Sequence, residues 1–172
     1  HSLVSSYVVP GQMDAQFDFN LYDAAVPALA RGGAGLLIVE ATAVSPEGRI
    51  TPGCLGLWTD AQAAALAPIA ASIKAAGAVP GIQIGHAGRT ASANRPWDGD
   101  DHIAADDARG WPTISPSATA FGANLPKVPR AMTVEDIARV RADFVAAARR
   151  ALEAFCIEGG ASVLPFLRPV ME

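Results

Sequence analysis

The chain has 172 residues, 51% of them hydrophobic and 17% charged, with a net charge of −4, which describes one globular domain with room for a good core. An acidic balance, with a sequence pI near 5.3, offers no basic patch for nucleic acid or for an anionic membrane surface. No stretch approaches about eighteen uninterrupted apolar residues, and the amino terminus lacks the charged-then-apolar layout of a signal peptide, so the expected location is the cytoplasm.

In chain order, Val4 to Val9 is a short β-like run closed by Pro10-Gly11. From Asp18 or Asn20, Leu21, Ala24, Ala25, Ala28 and Leu29 follow helical spacing to a stop at Gly32-Gly33, with Pro27 kinking the helix or delaying its start. Leu36 to Ala41 then reads as a strand buried on both faces, as in a parallel sheet, with a long loop at its carboxyl end. That end is where α/β barrels and open α/β sheets place their chemistry.

Two turns follow by composition, Ser45-Pro46-Glu47-Gly48 and Thr51-Pro52-Gly53. Leu66, Ile69, Ala70 and Ile73 repeat at helical spacing up to Gly77, which accommodates Pro68 only in a first turn or at a bend. Residues 78–85 form the next strand, ending at the polar cluster His86 to Thr90. Residues 90–132 are mostly loop, and Trp97 and Trp111 suggest a lid or substrate wall packed across the strand ends. Thr133 to Asp136 resembles a capping box, and Ile137, Val140, Phe144, Ala148, Ala151 and Leu152 line one face of a helix to about Ala154. A truncated third strand is expected from Phe155 to Glu158.

This α/β alternation implies parallel strands. A complete eight-stranded barrel takes ~250 residues, so the expected fold class is a partial (β/α)8 TIM barrel of three to four parallel β/α units, filling residues 1–172 as a single domain. Cys54 and Cys156 have no paired spacing and read as small apolar residues rather than a disulfide or zinc site. No metal is expected. His1 and His102 are isolated, and Asp98 to Asp101 lacks the following Glu that a calcium loop needs.

The run GGAGLLIVEATAVSPEGRITPGCLGLW, then GAVPGIQIGHAGRTAS, then PSATAFG and NLPKVPRAMT, resembles the amino-terminal half of the Old Yellow Enzyme family of flavin-dependent ene-reductases over about residues 28–155. The resemblance implies an FMN-containing barrel in which NAD(P)H reduces the flavin and an activated alkene, such as an α,β-unsaturated carbonyl compound, is reduced in turn. It assigns two cofactor-binding residues. Ala41 contacts the flavin through its backbone, its small side chain permitting close approach of the ring, and Gln83 offers an amide donor and acceptor to the pyrimidine edge. His86 would be the natural choice of general base without the resemblance. The family uses a different proton relay, so His86 and Arg89 are read as structural, and no catalytic residue is assigned.

Three departures stand beside the match. SSYVVPGQMDAQ does not place Tyr7 and Pro10 where the family has its flavin-tuning, substrate-facing segment. Ile157-Glu158 and GGASVLPFLRP replace the donor pair that binds the substrate oxygen, and the barrel half that holds the FMN phosphate has no counterpart. The alternative reading is therefore a degenerate, non-catalytic α/β segment that self-associates as a homo-oligomer or needs a partner to cover its strands. A hydrolase built on His86 is a distant third, since no second His or carboxylate lies at ligand spacing.

Overall fold

The computed structural model describes residues 28–155. Its elements are a strand β1 (Leu36–Ala43), a helix α1 (Asp60–Ala75), a strand β2 (Val79–Gly85), two short strands β3 (Ile114–Ser115) and β4 (Arg130–Ala131), and a helix α2 (Val134–Phe155). Residues 28–31 are the end of a further helix, stopped at Gly32-Gly33 as the sequence suggests. The expected strand at 4–9, the earlier turns of that helix with Pro27, and residues 156–158 of the expected third strand lie outside the described residues.

β1 and β2 pair in parallel, Leu36 opposite Val79 and Val39 opposite Ile82. The intervening helix covers one face of the pair, the arrangement that a β-α-β connection requires. Beyond Val39 the register shifts, and Thr42 faces Ile84, so one extra residue is accommodated in β1. Such a bulge changes which face the following side chains occupy. Val39 and Thr42 are both buried, while Ala41 between them is exposed. The strand also runs two residues past the expected Ala41, because Ala43 bridges in parallel to Gly56. Ala43 donates to Leu55 O and accepts from Leu57 N, which seats Leu57 fully in the core.

The covered face of the sheet packs on both helices. Val39, Leu66, Ile69, Ala70, Ile73, Ala147, Ala154 and Phe155 belong to one buried cluster. α1 begins earlier than its apolar spacing suggests, with a capping box in which Thr59 Oγ1 accepts from Gln62 N and the Gln62 amide oxygen accepts from Thr59 N. Pro68 stands well inside this helix, which removes the first-turn placement of the two that the spacing allows. Pro68 and Ala64 both face solvent, so the carbonyl that loses its donor can turn to water. An interior proline costs ~3 kcal/mol, and the four buried apolar residues of the same helix offset it.

α2 starts at the expected box, with Thr133 Oγ1 accepting from Asp136 N and Asp136 Oδ2 accepting from Thr133 N. Its burial begins later than the apolar pattern suggests. Ile137 is 55% exposed, and the buried residues lie from Ala147 onward. Phe155, the last described residue, is still helical and buried in the core rather than the start of a strand. The helix needs that aromatic side chain to close the cluster around Ala30 and Ala78.

The opposite face of the sheet is open. Leu36, Ile38 and Val79 are 56%, 54% and 52% exposed, on the side where Gln83 also stands. Among the described residues nothing covers this face, so burial on both faces, expected from the apolar run, holds for one face only. No described helix is long and apolar enough to cross a membrane.

Packing at Gly56 offers a direct check. A Cβ there would lie 2.1 Å from the Trp58 ring. The Gly56→Ala variant is expected to lose ~1–3 kcal/mol of stability by overpacking, read as a lower urea midpoint with unchanged slope.

Candidate functional site at the strand carboxyl ends

The bulge brings Ala41 and Gln83 opposite one another. Both lie between the Val39–Ile82 and Thr42–Ile84 pairs, near the carboxyl ends of parallel strands, and both are exposed. The Gln83 side-chain amide has no hydrogen-bond partner among the described residues. At Gly85, two residues on along the same face, an added Cβ would meet nothing within 4 Å. The surface is therefore flat, small-residue backbone with one free donor–acceptor group at its edge.

Beside it lies a half-open cavity of about 140 Å³, with Ala41, Thr42, Arg49, Cys54, Gly85 and His86 among its walls. The turn at 45–49 forms part of its rim, and the loops that follow the two strands are fastened there. Val44 N donates to Gly85 O, and Ala87 N donates to Gly48 O, which joins the loops that follow the two strands. Gly48 is required by close approach: a Cβ would sit 2.9 Å from the His86 ring and 3.1 Å from Ser45 Oγ.

Arg49 donates to Pro46 O at 2.8 Å and Pro52 O at 3.1 Å. Its guanidinium lies 5.7 Å from the Trp58 ring centroid and 4.8 Å from that of Trp111. Trp111 in turn donates its indole N–H to Glu47 O at 3.0 Å, closing the long loop onto the turn. Glu47 reaches the other way, pairing its carboxylate with Arg139 of α2, which also pairs with Asp143. Burial pushes the Glu47 carboxyl up, but backbone and Arg139 hydrogen bonds outweigh it and leave the group below its ordinary range.

The loop from 90 to 132 is thus packed over the strand ends as expected, but unequally. Trp111 is its anchor, whereas Trp97 is 47% exposed, with Arg95 over its ring. The Arg49 and Glu47 contacts were not assigned from sequence. Their partners lie 62 and 92 positions away, and no local pattern encodes such separations.

His86 lines the cavity and is held on one ring nitrogen. Its Nδ1 accepts from Gly88 N at 3.1 Å, so the neutral ring carries its proton on Nε2, which is buried without a partner among the described residues. Arg89 points its guanidinium over the Phe121 ring at 5.8 Å. Cys54 Sγ accepts from Thr51 N inside its own turn. Among the described residues no three metal-ligating side chains converge.

A parallel α/β unit with an open platform at its strand carboxyl ends defines the class of protein. Comparison with known proteins then gives the family: the chain belongs to the NADH:flavin oxidoreductase / NADH oxidase family, matching it over residues 23–156. It is 46% identical over 124 residues to the NADH:flavin oxidoreductase FG08077 of Gibberella zeae, covering 71% of this chain and 30% of that protein. It is 36% identical over 175 residues to an NADPH dehydrogenase of Halalkalibacterium halodurans, covering 90% and 45%. Among solved structures, the old yellow enzyme homologue from Zymomonas mobilis superposes with a TM-score of 0.60 at 32% identity, covering 78% of this chain and 36% of that one. The chain spans less than half the length of each of these proteins.

Burial lowers the His86 pKa first of all; Glu47 and Asp143 act against this and Arg139 with it. A folded value below the ordinary one means the fold favours the neutral ring. The stabilisation is complete above about pH 6.5 and is lost as pH falls through the lowered value. Urea midpoints are therefore expected to drop on acidification. A His86→Asn variant, whose Oδ1 can still accept from Gly88 N, should lose part of that dependence.

Proposed function

We propose that this chain supplies the flavin platform of an FMN-dependent ene-reductase, as three to four β/α units of an eight-fold TIM barrel. One observation carries the reading: in a member of this family, a free Gln83 amide faces exposed Ala41 across a bulge at the carboxyl ends of two parallel strands. FMN, when bound, supplies the hydride chemistry that links NAD(P)H to an activated alkene of the α,β-unsaturated carbonyl class. The residues present fit the ring. Gln83 can donate to and accept from its pyrimidine edge, and Ala41 and Gly85 leave room for close approach. Trp111, clamped through Arg49 and Glu47, holds the long loop against the turn beside the strand ends.

The resemblance implies that phosphate contacts and substrate-oxygen donors come from parts of the barrel that this chain does not span. Loss of one such donor costs a factor of several hundred, ~3–4 kcal/mol. The purified chain with excess FMN, NADPH and cyclohexenone under anaerobic conditions should therefore turn over far below the rate of ordinary enzymes. Ring binding is the sharper test. Titration followed by flavin fluorescence should give similar, weak affinities for FMN and riboflavin, and Gln83→Leu should weaken both by roughly tenfold, the value of one or two hydrogen bonds. Equal binding by wild type and Gln83→Leu would remove Gln83 from the platform.

A second reading, a non-catalytic segment that self-associates or needs a partner, is favoured by the exposure of Leu36, Ile38 and Val79 on the open sheet face. If that face drives association, sedimentation of the chain should show oligomers, and Ile38→Ser should shift them toward monomer. A monomeric wild type at all concentrations would exclude self-association.

A further inference from the structure

The long loop is fastened at a second point, away from Trp111, by a group that can change its charge. Residues 91–94 and 101–103 run antiparallel: Asn94 N donates to Asp101 O, and Ile103 N donates to Ser92 O. Between the ends of this ladder stands His102. Its Nδ1 accepts from the backbone N–H of Lys127 at 3.0 Å, and its Nε2 lies 3.2 Å from Arg89 O. A backbone N–H can only donate and a carbonyl can only accept, so both contacts are satisfied by one species alone, the neutral ring with its proton on Nε2.

We propose that His102 is a proton-operated latch on the loop over the strand ends: neutral, it ties the Lys127 segment to the carbonyl of Arg89 beyond β2, and a proton on Nδ1 releases that segment. The added proton would point at the Lys127 N–H, donor against donor, and the pair must separate. Release has a route to the site. Lys127 Nζ donates to Ser92 Oγ at 3.2 Å, the same oxygen that accepts from Trp111 N at 3.0 Å, and Trp111 is the residue bonded to Glu47. Ser92 itself is buried with a φ of 58°, so this junction is held by its contacts and not by an easy backbone conformation.

The charged groups around the ring work in opposite directions. Burial disfavours the imidazolium, the Arg89 carbonyl favours it, the Lys127 ammonium disfavours it, and Asp101 favours it. Asp101 is occupied with the Asn94 amide at 2.9 Å, and the Arg89 guanidinium is turned away over Phe121. The balance leaves the His102 pKa below its ordinary value. Hence the latch is fully closed above about pH 6.5 and opens as pH falls through the lowered value.

The test is NMR on the purified full chain. Imidazole nitrogen shifts at about pH 8 are expected to show His102 as the Nε2–H tautomer. Amide exchange of Lys127, corrected for its intrinsic rate and compared with Ile103, should lose protection by up to tenfold per pH unit as pH falls from about 6.5 toward the ring's lowered titration midpoint, and level off below it. The Ile103 amide is bonded to Ser92 O and not to the ring, so it serves as the internal control. In His102→Asn, whose Oδ1 can accept from Lys127 N and cannot be protonated, that step should vanish. An Nδ1–H tautomer in the wild type, which needs no variant to observe, would overturn the proposal. So would Lys127 and Ile103 protection that stay in step across the titration, or a wild-type pH step that persists in His102→Asn.

Discussion

Everything at the strand ends depends on one extra residue in β1. Between the Val39–Ile82 and Thr42–Ile84 pairs the ladder slips, and the slip turns Ala41 outward while Thr42 goes fully inside. Without it the alternation that buries Val39 would bury Ala41 as well, and no small residue would face Gln83. Bulges are a common means of re-aiming side chains beside functional sites. Here the bulge also sets up the next contacts, since Val44 N reaches Gly85 O and Ala43 takes up its bridge to Gly56 only in the shifted phase.

Downstream of the bulge, the 45–49 turn converts that backbone geometry into a rigid rim. Its members each hold a different part of the chain: Gly48 the His86 loop, Arg49 the two tryptophans, Glu47 both Trp111 and α2. The Glu47–Arg139 pair is partly exposed and by itself is worth little. Its value is positional. It fixes the carboxylate on one side of the turn while the carbonyl of the same residue receives the Trp111 indole on the other. A loop of some forty residues has a large ordering cost, which Trp111 and His102 share at two separate anchor points.

The two faces of the β1–β2 pair have different fates. One face is sealed by α1 and α2 into a single core; the other presents Leu36, Ile38 and Val79 together with the Gln83 amide. A strand rich in branched apolar residues on both faces is what a parallel sheet inside a larger α/β assembly requires.

How much was legible beforehand follows from the range of each interaction. The two strands, their parallel sense, the buried face of α1 and the capping box at Thr133 rest on periodicity and short-range hydrogen bonds, and the sequence alone determined them. Family membership was equally legible, because long ordered motifs such as VEATAV and GIQIGHAGR carry it. Exposed Ile137 and helical Phe155 were not, since each depends on what the neighbouring element covers: no described element over Ile137, the core cluster around Phe155. Only the tertiary structure decided the bulge, the Arg49 sandwich and the two-sided hold on His102. A register shift leaves no periodic trace, and contacts between residues tens of positions apart exist only once the chain has brought them together.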